Sequence, residues 1–220
     1  MIAPGTPGLE REVLLPLDGV TLPGLLTVPA DAVGVIAFAH GSGSSRLSPR
    51  NRLLAALLND SRVATLLFDL LTPEEAADHA NVFDVDLLAT RLVGATGWLE
   101  AQAETRHLPV GYFGASTGTA AALRAAADLG HAIHAVVSRG GRPDLAGDRL
   151  ASVRAPTLLV VGGADDAVLE LNRRALASMT CDAELRVVPG ATHLFEEPGA
   201  LEEVARLARA WFLRHLAPRQ

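Results

Sequence analysis

Five residues, Gly114-Ala115-Ser116-Thr117-Gly118, stand where a short apolar run ends and an alanine-rich helical stretch begins. A chain that passes from strand to helix within about three residues forces the residue at the tip into a strained backbone conformation. Side chains two positions to either side would meet the neighbouring strand and helix, and glycine avoids this because it has no Cβ. The hydroxyl of Ser116 is thereby presented at a sharp turn, beside a helix N-terminus whose free N–H groups favour developing negative charge. That is the setting of a nucleophile. The plainer alternative is a tight turn with a serine cap.

A serine hydroxyl is a weak nucleophile unless a base takes its proton, and the base needs an acid to orient it. The apolar run 157–161 is followed by Gly162-Gly163-Ala164-Asp165-Asp166, which delivers Asp165 to the end of a strand. Asp166 competes with it by one residue, and Asp144, after the preceding strand, is a second alternative. An aspartate here would equally suit a helix cap. The base candidate is His193, in the Gly190-Ala191-Thr192-His193 loop after the last apolar run. His79, His107 and His215 lie in polar or helical contexts. His131 and His134 flank the start of a strand, and two histidines without a third ligand make a poor zinc site, so no metal is expected. The run ending at Ala39 leads into His40-Gly41-Ser42-Gly43-Ser44-Ser45. Such a loop can aim a backbone N–H at an oxyanion, and the expected donors are Ser42 and Thr117. His40 is expected to fix this loop. Neither a Walker pattern nor Gly-x-Gly-x-x-Gly is present to suggest phosphate binding there.

The elements that must hold these groups follow from periodicity. Residues 11–28 alternate apolar and polar about Asp18-Gly19, a hairpin signal. Apolar runs at 34–39, 63–68, 110–113, 135–138, 157–161 and 184–188 then alternate with helical stretches at about 48–59, 84–104, 117–129, 168–178 and 199–216. Runs so continuous indicate a parallel sheet covered on both faces. The expectation is a doubly wound α/β domain over 1–220, with the hairpin along one edge. Residues 73–81 read as either a loop or a short helix. Reactive groups in such a sheet belong just after the strands, where Ser116, Asp165 and His193 all fall.

The 49% hydrophobic and 20% charged composition is that of a globular chain, not a disordered one. A net charge of −6 without a basic stripe argues against nucleic-acid binding. The one cysteine, Cys181, allows no intrachain disulfide. The start, MIAPGTPGLEREV, lacks a charged segment followed by an apolar block, so no signal peptide is expected. No run is long enough for a membrane span. A cytoplasmic protein is the expectation.

Taken together, the His40–Gly43 loop, the Gly114–Gly118 elbow, the Gly162–Asp165 turn with Val168 and the Gly190–His193 loop resemble the α/β-hydrolases, specifically a serine-bearing, dienelactone-hydrolase-like branch. The resemblance implies an eight-stranded, mostly parallel sheet and cofactor-free hydrolysis through an acyl-enzyme. It also implies the order nucleophile, acid, base found here as Ser116, Asp165, His193. Dienelactone hydrolases proper carry a cysteine nucleophile where this elbow has serine, so dienelactone is not carried over as substrate. The expected activity is hydrolysis of small esters, with lactones and thioesters included. A non-catalytic binding module and an acyltransferase using the same residues are the alternatives. Residues 135–157 leave room for one short helix and no large lid. Arg139 and Arg142, directly after one strand, together with Arg46 in the glycine-rich loop region, could bind an anionic substrate group; otherwise they tie loops to acids such as Asp144.

Overall fold

The structure is a computed structural model and describes residues 8–216. The reading of a missing signal peptide falls largely on residues 1–7, which lie outside the described ones. Chain order runs β1 (Leu9–Leu17), β2 (Val20–Val28), β3 (Val35–Ala39), α1 (Pro49–Asn59), β4 (Ala64–Phe68), α2 (Pro73–Ala76), α3 (His79–Phe83), α4 (Val85–Ala101), β5 (Val110–Ala115), α5 (Thr117–Leu129), β6 (Ile133–Arg139), β7 (Thr157–Gly162), α6 (Asp166–Ser178), β8 (Ala183–Val188) and α7 (Ala200–Leu216). One eight-stranded sheet forms in the order β1-β2-β4-β3-β5-β6-β7-β8.

The hairpin arises as its turn residues require. Asp18 and Gly19 both take positive φ, 44° and 81°, which closes a two-residue turn between Leu17 and Val20. β2 pairs antiparallel with β4, and every pairing from β3 to β8 is parallel. β3, β4 and β5 are buried at every position, as expected for strands covered on both faces. One core layer holds α4 and α5 against the sheet through Leu88, Leu92, Leu99 and the alanines of α5. The other holds α1 and α7 through Leu54, Leu58, Val204 and Phe212. Alternation within β5 divides it between them, with Tyr112 in the first layer and Phe113 in the second.

Residues 73–83 form two short helices. Thr72 opens α2 with a capping box: its hydroxyl accepts from the Glu75 N–H, and the Glu75 carboxylate accepts from the Thr72 N–H. Asp78 caps α3. The buried Arg91 of α4 ties this segment down, donating to Glu75 at 2.7 Å and to the Leu17 carbonyl at 2.9 Å. Between β6 and β7 only a 3₁₀ segment intervenes, Pro143–Ser152, so no large lid is inserted there. Among the described residues, no helix is long and apolar enough to cross a membrane.

Candidate functional site

Ser116 lies between β5 and α5 at φ 49° and ψ −123°, a conformation that costs a non-glycine residue about 1–3 kcal/mol. Its flanking glycines are sterically required. A Cβ at Gly114 would lie 2.5 Å from the Thr119 Cα, and one at Gly118 would lie 2.2 Å from the Ala39 carbonyl oxygen. The first close approach is to the helix and the second to the end of β3, so the elbow can turn only if both positions lack side chains. The Ser116 carbonyl accepts from Thr119 N–H at 3.1 Å and Arg142 N–H at 3.0 Å, which fixes the turn from both sides.

The loops after β7 and β8 are stitched together by their backbones. Gly163 N–H donates to the Val188 carbonyl at 2.8 Å, and Ala164 N–H donates to the Ala191 carbonyl at 2.9 Å. Phe195, buried and at φ 55°, anchors the far side of the histidine loop. The result is a hydrogen bond of 2.7 Å between His193 Nδ1 and Asp165 Oδ2. With the Nδ1 proton donated to that carboxylate, Nε2 is left as the basic nitrogen. Among the three candidate acids, the structure pairs Asp165 with the imidazole, leaves Asp166 exposed at the start of α6, and engages Asp144 with Arg142. Ser116 and His193 line one cavity of about 520 Å³ at the carboxyl ends of the strands, without a direct hydrogen bond between them.

The glycine-rich loop forms the opposite wall. Its turn closes from Ser44 N–H to the Gly41 carbonyl at 3.2 Å, with Gly43 at φ 69°. The Ser42 N–H, expected to face an oxyanion, donates to the Thr117 hydroxyl at 2.9 Å. Thr117's own N–H belongs to the first turn of α5, where no helical carbonyl is available to it. His40 holds the loop in place: Nδ1 donates to the Gly41 carbonyl at 3.0 Å, and Nε2 accepts from Leu70 N–H at 3.1 Å. Burial lowers its pKa below the ordinary value, so the ring stays neutral in this role.

The three arginines part company. Arg46 is taken by Asp69, through its N–H at 2.7 Å and its guanidinium at 2.6 Å. Arg142 is bidentate to Asp144 at 2.8 and 2.7 Å, and those hydrogen bonds hold its guanidinium above its ordinary pKa. Arg139, the last residue of β6 and so within the strand, lines the cavity with Ser116 and His193. Arg50, at the start of α1, lines it too and was not singled out by the sequence reading. The Ser48-Pro49 helix start that brings it there was its one signal. A second cavity of about 350 Å³, walled by Leu70, Leu71, Val82 and Leu88, lies beyond the same Gly41–Ser45 loop.

No family model matches the chain. Proteins of two Mycobacterium tuberculosis strains, CDC 1551 and H37Rv, are each 62% identical over 207 residues, 94% of this chain, and carry the provisional name phosphoribosyl transferase. The chain spans about half of their length, 47%. The crystal structure of a dienelactone hydrolase from Anabaena variabilis is 52% identical, covers 96% of this chain and 99% of its own, and superposes with a TM-score of 0.92. Est1E from Butyrivibrio proteoclasticus shares the fold at a TM-score of 0.80 and 17% identity, over 93% of this chain and 98% of its own. The eight-stranded sheet, its antiparallel hairpin and the 52% likeness agree, and the chain belongs to the dienelactone hydrolase family of α/β-hydrolases, with serine at the elbow.

Proposed function

We propose that this chain hydrolyses small carboxylic esters through a covalent intermediate on Ser116. The observation that carries the reading is the 2.7 Å bond between His193 and Asp165, with the imidazole lining the same cavity as the strained Ser116. In the first step Ser116 Oγ bonds to the carbonyl carbon as His193 Nε2 takes the hydroxyl proton. Asp165 keeps the ring oriented and stabilises its positive form. The Thr117 N–H stabilises the oxyanion, joined by the Ser42 N–H as it turns from the Thr117 hydroxyl. The ester C–O bond then breaks as His193 returns the proton to the leaving alcohol. A water deprotonated by His193 attacks the acyl carbon and releases Ser116.

The transferase name belongs to proteins with roughly as much chain again, and the site residues of this chain support hydrolysis as the chemistry of the half it resembles. The name of the Anabaena relative makes a lactone worth including beside esters and a thioester in a substrate panel. The test is a serine-directed fluorophosphonate probe with p-nitrophenyl acetate as substrate. Labelling and turnover in the wild type, both lost in Ser116→Ala, support the reading. A wild type that neither labels nor turns over favours a binding module.

A further inference from the structure

We propose that Asn172 is a positioning residue: its buried amide holds the loop 140–142, and that loop sets how Ser116 meets His193. The inference rests on the hydrolase reading above and deepens it. Asn172 lies two turns along α6 from Asp165, the residue that opens the helix. It is fully buried on the inward stripe of α6 between Leu169 and Ala175, where an apolar side chain would continue the packing. Its Nδ2 instead donates to the Gly141 carbonyl at 2.9 Å and, one turn back in its own helix, to the Val168 carbonyl at 2.8 Å. Its Oδ1 has no partner among the described residues. An amide buried with part of its hydrogen-bonding capacity unmet costs stability, and what it secures here is Gly141.

The loop that Asn172 grips touches both reacting groups. On the serine side, the backbone at its two ends fixes the elbow. The Arg139 carbonyl, at the end of β6, accepts the Ser116 N–H at 3.3 Å, and the Arg142 N–H donates to the Ser116 carbonyl at 3.0 Å. Between them, Gly141 lies against the Ser138 and Thr119 hydroxyls, themselves 3.0 Å apart, and a Cβ there would collide with both oxygens. On the histidine side, Gly140 turns at φ 52°. A Cβ on it would stand 3.1 Å from the His193 carbonyl oxygen and 3.5 Å from ring Cε1, the carbon beside Nε2. The Gly140 N–H is tied to the Val160 carbonyl of β7 at 2.8 Å. The first residue of the loop is thus anchored on the sheet and the second on α6, and the third holds Ser116. One helix therefore carries the acid at its start and the anchor of the nucleophile's support two turns on. Ser116 and the imidazole share a cavity without a hydrogen bond between them, so their approach depends on small backbone placements. A shift of about 1 Å in such a support can cost about 10²-fold in rate.

The experiment pairs Asn172→Leu, which nearly keeps the volume, with Asn172→Ala, which leaves a gap; both delete the donor. Counted per fluorophosphonate-labelled site, each should lower kcat for p-nitrophenyl acetate by about 10²-fold with KM little altered, although the two differ in Tm. The rate of labelling should slow in parallel. In a His193→Ala background, where no imidazole remains to be approached, the same substitutions should change the residual rate little. A merely structural Asn172 predicts other results: kcat per site unchanged at a lowered Tm, kcat losses that follow Tm instead of the missing donor, or the same fold-loss with and without His193. Any of these overturns the proposal. Should Asn172→Leu fail to fold, Asn172→Ala and the cycle built on it still decide. A wild type that labels and turns over while the variants keep its kcat refutes only this role, whereas an unlabelled and inactive wild type refutes the hydrolase reading and this proposal with it.

Discussion

Two cavities share the Gly41–Ser45 loop as a common wall, and they differ in almost everything else. On one side stand Ser116, His193, Arg50 and Arg139, with the end of α1. On the other stand mainly leucines, a valine and prolines from β2, the loop after β4, α2, α3 and α4, with His40, Thr72 and the Arg46–Asp69 pair among them. The difference follows from which elements each side borrows. The polar side is built from residues at the ends of parallel strands, where backbone N–H groups and helix starts gather. The apolar side is built from the flank of the hairpin and the short helices that Arg91 and Glu75 pin against it. One short loop thus separates a place suited to charge from a place suited to hydrocarbon, and its position controls both.

The largest break in that contrast should come from the polar side. His193→Ala and Asp165→Asn are each expected to lower kcat by roughly 10³–10⁴-fold or more, with KM for p-nitrophenyl acetate little altered. Steady-state kinetics on folded protein checks this, and a comparable fall in Asp166→Asn would move the acid by one residue. Moving the shared wall comes next. Gly118→Ala would set a Cβ 2.2 Å from the Ala39 carbonyl and 2.5 Å from that of His40, at the root of the loop. Because both are backbone atoms, about 1–3 kcal/mol of stability should be lost, read as a drop in Tm, and turnover should fall for every ester. On the apolar side, Ala76→Trp fills the second cavity and should lower kcat/KM for octanoate esters about tenfold relative to acetate. Equal effects on both chain lengths would separate that cavity from the substrate.

The smallest effect concerns His40. Its folded pKa lies below the ordinary 6.5, so below that pH the unfolded chain binds the proton more readily than the folded one. Stability is therefore fully present above 6.5 and falls as the pH drops below it. Denaturation at about pH 7.5 and about pH 5.5 should show the wild type losing more stability than His40→Asn on acidification, by no more than about 1.4 kcal/mol.

Much of this was legible in the sequence because local chemistry dictates it. Asp18-Gly19 demands two positive φ angles, and the elbow glycines answer to clashes with atoms only a few residues or one strand away. The strand ends were less legible. Ala115 and Arg139 extend β5 and β6 beyond the apolar runs, because the parallel ladder between the two strands continues to this pair although glycine and arginine interrupt the apolar pattern. The choice between Asp165 and Asp166 turns on one residue of register, set by the backbone bonds between the β7 and β8 loops. Of the three arginines, the tie of Arg142 to Asp144 was one of the two readings the sequence offered, because the acid lies two residues away; the fates of Arg46 and Arg139 were not legible. Whether Asp69 or no carboxylate stands opposite a guanidinium depends on elements far apart in the chain, and the same holds for Arg50. The Ser42–Thr117 bond is of the same kind, joining two residues that the sequence had assigned side by side to the oxyanion.

The central claim is that Ser116 carries the acyl group, and acid quenching during turnover of p-nitrophenyl acetate tests it most directly. Tandem mass spectrometry of the quenched enzyme should find the acetyl group on Ser116, accumulating more in a variant that slows deacylation. Continued turnover with no adduct, or with the adduct on another residue, would contradict the account.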